Sequence, residues 1–185
     1  METSRKEGTS TLVRRIAVTG ILVSITVLLG VLRIGFIPFP TGVNATILHI
    51  PVIIGAILEG WPVGLLIGLC FGLFSFLQAT SPLFKDPLVA ILPRMVIGVT
   101  AYFAYRGLRR VNELFAVGVG AAVGTATNTV LVLGVAVLRG YMDASLAATV
   151  AVTHGIPEVI VAVIITVAVV AAWKQIARRS GGSSV

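Results

Sequence analysis

The sequence predicts an all-α integral membrane protein, built as a bundle of six transmembrane helices. Apolar residues make up 57% of the 185 residues and charged residues only 11%, whereas a soluble domain is typically about one quarter charged. The mean hydropathy is +1.04, and apolar runs recur along the whole chain. The length allows one compact domain and no separate soluble domain.

The apolar runs that predict the six helices are 13–32, 47–58, 63–79, 88–105, 114–138 and 146–173. Crossing the hydrocarbon core takes about 20 helical residues, so the second run is short for a span. Gly60, Trp61 and Pro62 predict a tight turn between the second and third runs. We therefore expect a membrane domain over residues 13–175, with polar tails at 1–12 and 176–185.

Two segments predict irregular loops on the outer side of the membrane. "RIGFIPFPTGVNAT", residues 33–46, follows the first run and contains two prolines and two glycines. "TSPLFKDP", residues 80–87, joins the third run to the fourth. Proline and glycine at this density favour loops over helices.

The distribution of the basic residues predicts the orientation. The formal net charge is +7, and six spans place both termini on one side. Ten of the fourteen basic residues fall on that side: Arg5, Lys6, Arg14, Arg15, Arg106, Arg109, Arg110, Lys174, Arg178 and Arg179. This positive-inside pattern predicts that both termini are cytoplasmic, so the basic excess indicates topology and no nucleic-acid partner. A cleavable signal peptide is not expected, because the first run is too long for one.

Small residues four apart predict close helix packing. Gly64, Gly68 and Gly72 form such a series on the third run, and Gly120 and Gly124 form another on the fifth. The first run carries a third set, made of Ala17, Gly20 and Ser24, in which Gly20 and Ser24 are four apart. For this set the sequence leaves two alternatives open, which are packing inside the bundle and contact with an external helix.

Polar side chains inside the apolar runs predict a pocket in the outer half of the bundle. Arg94 lies about six residues, or ~9 Å, inside the outer end of its helix. A charge at the bilayer centre costs at least ~2.5–3.5 kcal/mol. His154 and Glu158 are four apart and share one helix face. The candidate ligand-binding residues are His49, Gln78, Arg94, Asn128, His154 and Glu158, with Asn44 in the first outer loop. We expect a pocket that is open to the outside and closed towards the cytoplasm.

Each of these residues also has a structural alternative. Arg94 and Glu158 could form an ion pair that neutralises both charges. Asn128 could serve only as an interhelical hydrogen-bonding residue, and His154, near Pro157, could line its helix without touching a ligand.

Four segments make the sequence similar to a known family. "ILHIPVIIGAILEG" (47–60), "LPRMVIG" (92–98), "TNTVLVLG" (127–134) and "HGIPEVIVAVI" (154–164) resemble the substrate-binding S components of energy-coupling factor (ECF) transporters. The resemblance extends over residues 14–174 and is closest to the pantothenate-type branch. It implies a six-helix subunit of a prokaryotic cell membrane that binds a water-soluble vitamin from outside.

The resemblance also implies the partners. S components associate with a transmembrane coupling subunit (T) and two ATP-binding subunits (A and A′), and small residues on the first helix dock on the T subunit. Ala17, Gly20 and Ser24 occupy that region here. The chain carries no Walker A motif, so ATP hydrolysis must come from the partners, and the chain itself is expected to be neither an enzyme nor a cofactor protein.

A pantothenate ligand would explain the buried arginine. Pantothenate carries one carboxylate, two hydroxyls and an amide, and a guanidinium is a planar, permanently charged partner for a carboxylate. Arg94 is therefore the expected anchor, Asn128 can donate and accept hydrogen bonds, and Glu158 either holds Arg94 or accepts from ligand hydroxyls. His154 stands where the family usually has asparagine, which could alter ligand choice. Cobalamin, a pyridoxine-type vitamin, folate and riboflavin remain alternatives.

Two further classes stay open. His49, His154 and Glu158 could together bind zinc in an intramembrane metal-binding protein or enzyme, although no HExxH motif is present and no metal site is expected. The second class is a structural or regulatory subunit that binds no small molecule.

Overall fold

The computed structural model describes residues 2–37, 45–79 and 81–181, and helices account for most of them. The α-helices are α1 (Glu2–Val31), α2 (Ile50–Glu59), α3 (Trp61–Leu77), α4 (Pro87–Ala90), α5 (Leu92–Leu108), α6 (Glu113–Leu138) and α7 (Ala144–Gly181). A 3₁₀ turn covers Pro82–Lys85, and two short strands, β1 (Phe36–Ile37) and β2 (Ala45–Thr46), pair antiparallel. The predicted helical membrane fold is confirmed. Asn44 lies outside the described residues.

Within the described part of the chain, four stretches are long and apolar enough to cross a membrane. They are Leu12–Val31, Pro87–Leu108, Glu113–Leu138 and Ala144–Ala177. The other two helices of the predicted bundle are shorter, since α2 has 10 residues and α3 has 17. At 1.5 Å per residue α2 is about 15 Å long, which is about half of the hydrocarbon core.

The second helix begins later than its apolar run suggested. The run starts at residue 47, but Ala45 and Thr46 pair with β1, and α2 starts only at Ile50, with Pro51 in its first turn. Proline is well suited to this position because the N–H that it lacks would have no partner there. The predicted turn at Gly60 is confirmed, since Gly60 adopts a φ of 101°, which glycine tolerates without steric cost.

The segments expected to be polar tails are helical where they are described. α1 already begins at Glu2, and α7 continues to Gly181. A helix that is nucleated inside the membrane extends at little cost into a polar segment without proline. The limits of the membrane domain at residues 13 and 175 therefore do not coincide with helix ends.

Glycines bring α3 and α5 into close contact, as their spacing predicted. A Cβ added to Gly68 would overlap the carbonyl oxygen of Arg94, and one added to Gly72 would lie 2.8 Å from the Cα of Ile91. Gly64 faces Gly98 in the same way. On α6, a Cβ at Gly124 would lie 2.9 Å from a side-chain carbon of Ile53. These contacts fix the backbone of α5 against α3 at the position of Arg94.

An ion pair joins the segment before α4 to the segment after α6. Arg139, at the end of α6, donates from Nε to Oδ2 of Asp86 at 2.7 Å, and the hydroxyl of Tyr141 donates to the same oxygen at 3.2 Å. Asp86 also caps α4 by accepting from the backbone N–H of Leu88 at 3.0 Å. The hydrogen bond from Arg139 and the positive charge of its guanidinium hold the pKa of Asp86 below its usual value. The segment that precedes α4 is thereby attached to the end of α6.

The glycine contact predicts opposite effects for two alanine substitutions. Gly68→Ala should destabilise the protein by roughly 1–3 kcal/mol, because the new methyl group overlaps backbone. Gly134→Ala, on α6, has no atom within 4 Å of the added Cβ and should be neutral or slightly stabilising, because alanine is the better helix former. Thermal unfolding in detergent measures both. Equal midpoints for the two variants would contradict the packing described here.

The Asp86 ion pair predicts a pH-dependent loss of stability. The pKa of Asp86 is lower in the folded protein than in the unfolded one. The stability that Asp86 contributes is therefore complete above the unfolded pKa of about 3.9 and disappears as the pH falls through the folded pKa. Asp86→Asn should therefore lower the thermal midpoint near neutral pH, and the difference from wild type should vanish in strong acid. Asp143→Asn, which removes an exposed carboxylate from the loop between α6 and α7, is the control and should change little. A difference for Asp86→Asn that persists unchanged in acid would exclude the ion pair as its cause.

Candidate functional site

Five of the predicted polar residues are buried in the bundle, and we refer to them as the polar cluster. Their exposed fractions are 0% for His49, 4% for Arg94, 5% for Asn128, 3% for His154 and 7% for Glu158. They come from the segment before α2 and from α5, α6 and α7. Arg94 interacts electrostatically with both His49 and Glu158, so the fold brings together residues that are up to 109 positions apart (158 minus 49).

His49 lies deeper than its position in the sequence suggested. It was expected near the outer end of the second apolar run, but it immediately precedes the ten-residue α2 and is completely buried. Its Nε2 lies 3.0 Å from the hydroxyl oxygen of Thr125, which is itself fully buried on α6. The short helix therefore places an imidazole among the core residues of the bundle.

The guanidinium of Arg94 is held by a backbone carbonyl and two aromatic rings. Pro93 has no N–H, so the carbonyl of Val89, four residues before it, has no helical donor; Nη1 of Arg94 donates to that carbonyl. The guanidinium carbon also lies 5.6 Å from the ring centre of Phe71 on α3 and 5.0 Å from that of Phe84 in the 3₁₀ turn. Both distances are within the range of cation–π attraction.

Arg94 has no carboxylate partner at ion-pair distance. Among the described residues, the salt bridges of 4.0 Å or less involve Glu59, Asp86 and Glu113, and none joins Arg94 to Glu158. The direct pair that was one alternative for these residues is therefore not formed. The two charges attract each other from a greater distance, so the guanidinium has no carboxylate in direct contact among the described residues.

Glu158 connects the outer loop to α7. Its Oε1 accepts from the backbone N–H of Thr46 in β2 at 2.6 Å. The hydroxyl of Thr46 in turn accepts from the backbone N–H of Leu48 at 3.1 Å. The strand pair is thus attached directly to the polar cluster.

Three buried polar atoms of the cluster have no hydrogen-bond partner among the described residues. They are Nδ1 of His49, Nε of Arg94 and Oδ1 of Asn128. A buried polar atom that lacks a partner costs about 1–3 kcal/mol, and most such atoms in proteins are satisfied. The buried cluster therefore contains a positively charged donor, an amide acceptor and an imidazole nitrogen whose hydrogen-bonding capacity is unused.

The remaining predicted residues behave differently. Gln78 is exposed at the end of α3, and the fold does not bring it into the polar cluster. Nδ1 of His154 lies 2.9 Å from the hydroxyl of Thr153 and 3.3 Å from the carbonyl oxygen of Val150, so this histidine is oriented by its own helix. In the described part of the chain no three His, Cys, Asp or Glu side chains come close enough to bind a metal, and the zinc alternative gains no support.

Several residues of the site were missed at the sequence level. Thr125 lies one helical turn from Asn128 on the same face, a spacing that could have identified it. Phe71, Phe84 and Thr46 gave no such signal, because aromatic residues in apolar runs and threonines in loops are common.

The three small residues of α1 form an exposed face. Ala17, Gly20 and Ser24 are all exposed, and a Cβ added to Gly20 would have no atom within 4 Å. The opposite side of the helix carries the buried residues Val18, Leu22 and Thr26. Packing of this set inside the bundle, one of the two alternatives, is therefore wrong, and the face is available to another helix.

A cavity of about 500 Å³ lies at the end of the bundle that carries the chain termini. We call it the inner cavity, and its lining includes the charged residues Arg14, Arg15, Glu59, Arg109, Glu113 and Lys174. Polar groups were expected to be concentrated in the outer half, but Glu59 is a carboxylate with only 4% of its side chain exposed at the opposite end. The polar cluster itself does not line this cavity.

Comparison with known proteins gives two matches. Residues 14–170 match the family model for the substrate-specific component of ECF transporters. The chain is also 38% identical over 169 residues to the pantothenic acid transporter PanT of Lactococcus lactis subsp. cremoris (strain MG1363), an alignment that covers 77% of this chain and 83% of the relative.

Proposed function

The chain belongs to the substrate-specific components of ECF transporters, and we propose that it binds pantothenate in the polar cluster for uptake into the cell. A chain of this family is a transport component. The identity of 38% to a pantothenic acid transporter supports the choice of vitamin. The observation that carries the proposal is the buried guanidinium of Arg94, which has no carboxylate within ion-pair distance among the described residues.

Arg94 is the proposed anchor for the pantothenate carboxylate. Its Nε has no partner and its Nη1 is held by Val89, so the guanidinium is oriented before the ligand arrives. Preorganisation of this kind reduces the entropy that is lost on binding. Removal of water by the surrounding apolar residues strengthens the attraction between guanidinium and carboxylate.

The other end of pantothenate carries hydroxyls and an amide, which need uncharged or weakly polar partners. Asn128 presents an unpartnered amide oxygen and His49 an unpartnered ring nitrogen. Asn128 accepts from a ligand hydroxyl or N–H, and His49 donates or accepts according to its tautomer. Glu158 is engaged by Thr46, so its proposed role is to hold the outer loop and to attract Arg94. His154 is the proposed determinant of ligand choice next to Glu158.

The proposed partners are the T subunit and the two ATP-binding subunits A and A′ of an ECF transporter. The exposed face of Ala17, Gly20 and Ser24 on α1 is the proposed docking site for the T subunit, because small residues permit close approach of helices in lipid. The proposed orientation places both termini in the cytoplasm, so that the polar cluster faces the outer leaflet.

Substitution of Arg94 tests the anchor. Arg94→Ala should weaken pantothenate binding by about 2–5 kcal/mol, which is roughly thirtyfold to several thousandfold, and Arg94→Lys should recover only part because an ammonium lacks the planar fork. Pantothenol, with a hydroxyl instead of the carboxylate, should bind poorly and should hardly distinguish Arg94→Ala from wild type. Calorimetry on detergent-purified protein provides the affinities.

Lys85→Ala is the matched control, because it removes one positive charge from an exposed outer position. It should leave pantothenate affinity nearly unchanged. A folded Arg94→Ala protein that binds pantothenate as tightly as wild type would refute the anchor. If wild type instead binds a different vitamin and not pantothenate, only the proposed substrate would be wrong.

Bulky substitutions test the docking face. Gly20→Leu and Ser24→Leu should leave pantothenate binding by the isolated protein intact and abolish ATP-driven uptake in proteoliposomes that also contain the T and A subunits, because the added side chain separates α1 from its partner. Gly134→Leu, at an exposed glycine of α6 with no neighbouring atoms, is the control and should transport normally. Normal uptake by Gly20→Leu would show that the T subunit docks elsewhere.

A further inference from the structure

We propose that the inner cavity binds the phosphate of an anionic phospholipid headgroup. The cavity lies between the middle of α1 and the ends of α2, α5, α6 and α7, on the side proposed to be cytoplasmic. Its volume of about 500 Å³ falls within the roughly 300–1,000 Å³ of small-molecule sites. It is lined by four basic side chains and two carboxylates, an excess of two positive charges (four minus two).

The carboxylates of the cavity already have partners. Glu59 accepts from Nε and Nη2 of Arg14 at 2.9 and 2.8 Å, and Glu113 pairs with Lys174. Arg15 is only loosely associated with Glu59, since its Nε lies 3.9 Å from Oε2. Arg109 forms no salt bridge with any residue that the structure describes. Arg15 and Arg109 are therefore the two guanidiniums that remain for an external anion.

The surroundings favour a lipid over a soluble anion. Tyr102 and Trp173 line the cavity, and these two residue types are enriched at the level of the headgroups. Ile57 and Leu58 provide an apolar wall. More than half of the side chain is exposed in both Arg14 and Arg15. Basic pockets between transmembrane helices on the cytoplasmic side are a recurrent kind of anionic lipid site. A phosphate bound by Arg15 and Arg109 would connect α1 to the end of α5.

Native mass spectrometry of the detergent-purified full chain tests this inference without any variant. Phosphatidylglycerol should bind more tightly than phosphatidylcholine, whose headgroup carries no net charge, and inorganic phosphate should neither bind comparably nor displace it. Equal binding of the two lipids would overturn the proposal. Inorganic phosphate that saturates the site and displaces phosphatidylglycerol would show that a soluble anion is the occupant, and would overturn it as well.

Three substitutions then locate the site. Arg15→Gln and Arg109→Gln should each weaken phosphatidylglycerol binding roughly fivefold, the loss expected for one basic residue near a charged headgroup. Arg110→Gln removes the same charge from the adjacent exposed position, which does not line the cavity, and should have no effect. Binding of vitamin at the distant polar cluster verifies that each variant is folded. An equal loss in Arg110→Gln would show attraction to the general surface charge instead of a defined site.

Discussion

The burial of one guanidinium, that of Arg94, is the constraint on which the arrangement of the bundle depends. A charge in this position is costly in hydrocarbon, so several elements contribute to stabilising it. Pro93 frees the carbonyl of Val89, which accepts from the guanidinium, and Phe71 and Phe84 supply ring faces. Gly68 allows α3 to contact the backbone of Arg94 directly. None of these contacts neutralises the charge, and this is the basis on which Arg94 is proposed to bind an anion.

The shortness of α2 has a second consequence for the site. Because this helix has only ten residues, the segment before it enters the bundle, where His49 contacts Thr125 and the backbone of Thr46 reaches Glu158. The outer loop and the polar cluster are therefore one connected structure. Movement of the strand pair would break the hydrogen bond to Glu158 and would also alter the electrostatic surroundings of Arg94.

The polar and charged groups at the two ends of the bundle differ in whether they have partners. At the end that holds the polar cluster, buried groups keep unpartnered atoms, as the proposed reversible binding of a polar molecule requires. At the inner end the carboxylates are paired with Arg14 and Lys174, while other basic side chains remain exposed. α1 buries one of its sides in the bundle and exposes the small residues Ala17, Gly20 and Ser24 on its other side. The proposed sites of ligand recognition and of partner contact thus lie on separate surfaces.

The sequence by itself determined the class of protein, the order of the helices and the burial of the five residues of the polar cluster, because apolar runs and a charge within them are local features with large transfer free energies. It also predicted close packing of the third helix, since glycines four apart permit close helix approach in lipid, whereas the identity of its partner, α5, came from the structure. Only the tertiary structure decided that Arg94 and Glu158 do not pair directly, that His49 is fully buried and that Gln78 stays outside the cluster. Those outcomes depend on helix lengths, on the path of the outer loop and on distances between helices, which arise from packing of residues that are distant in sequence.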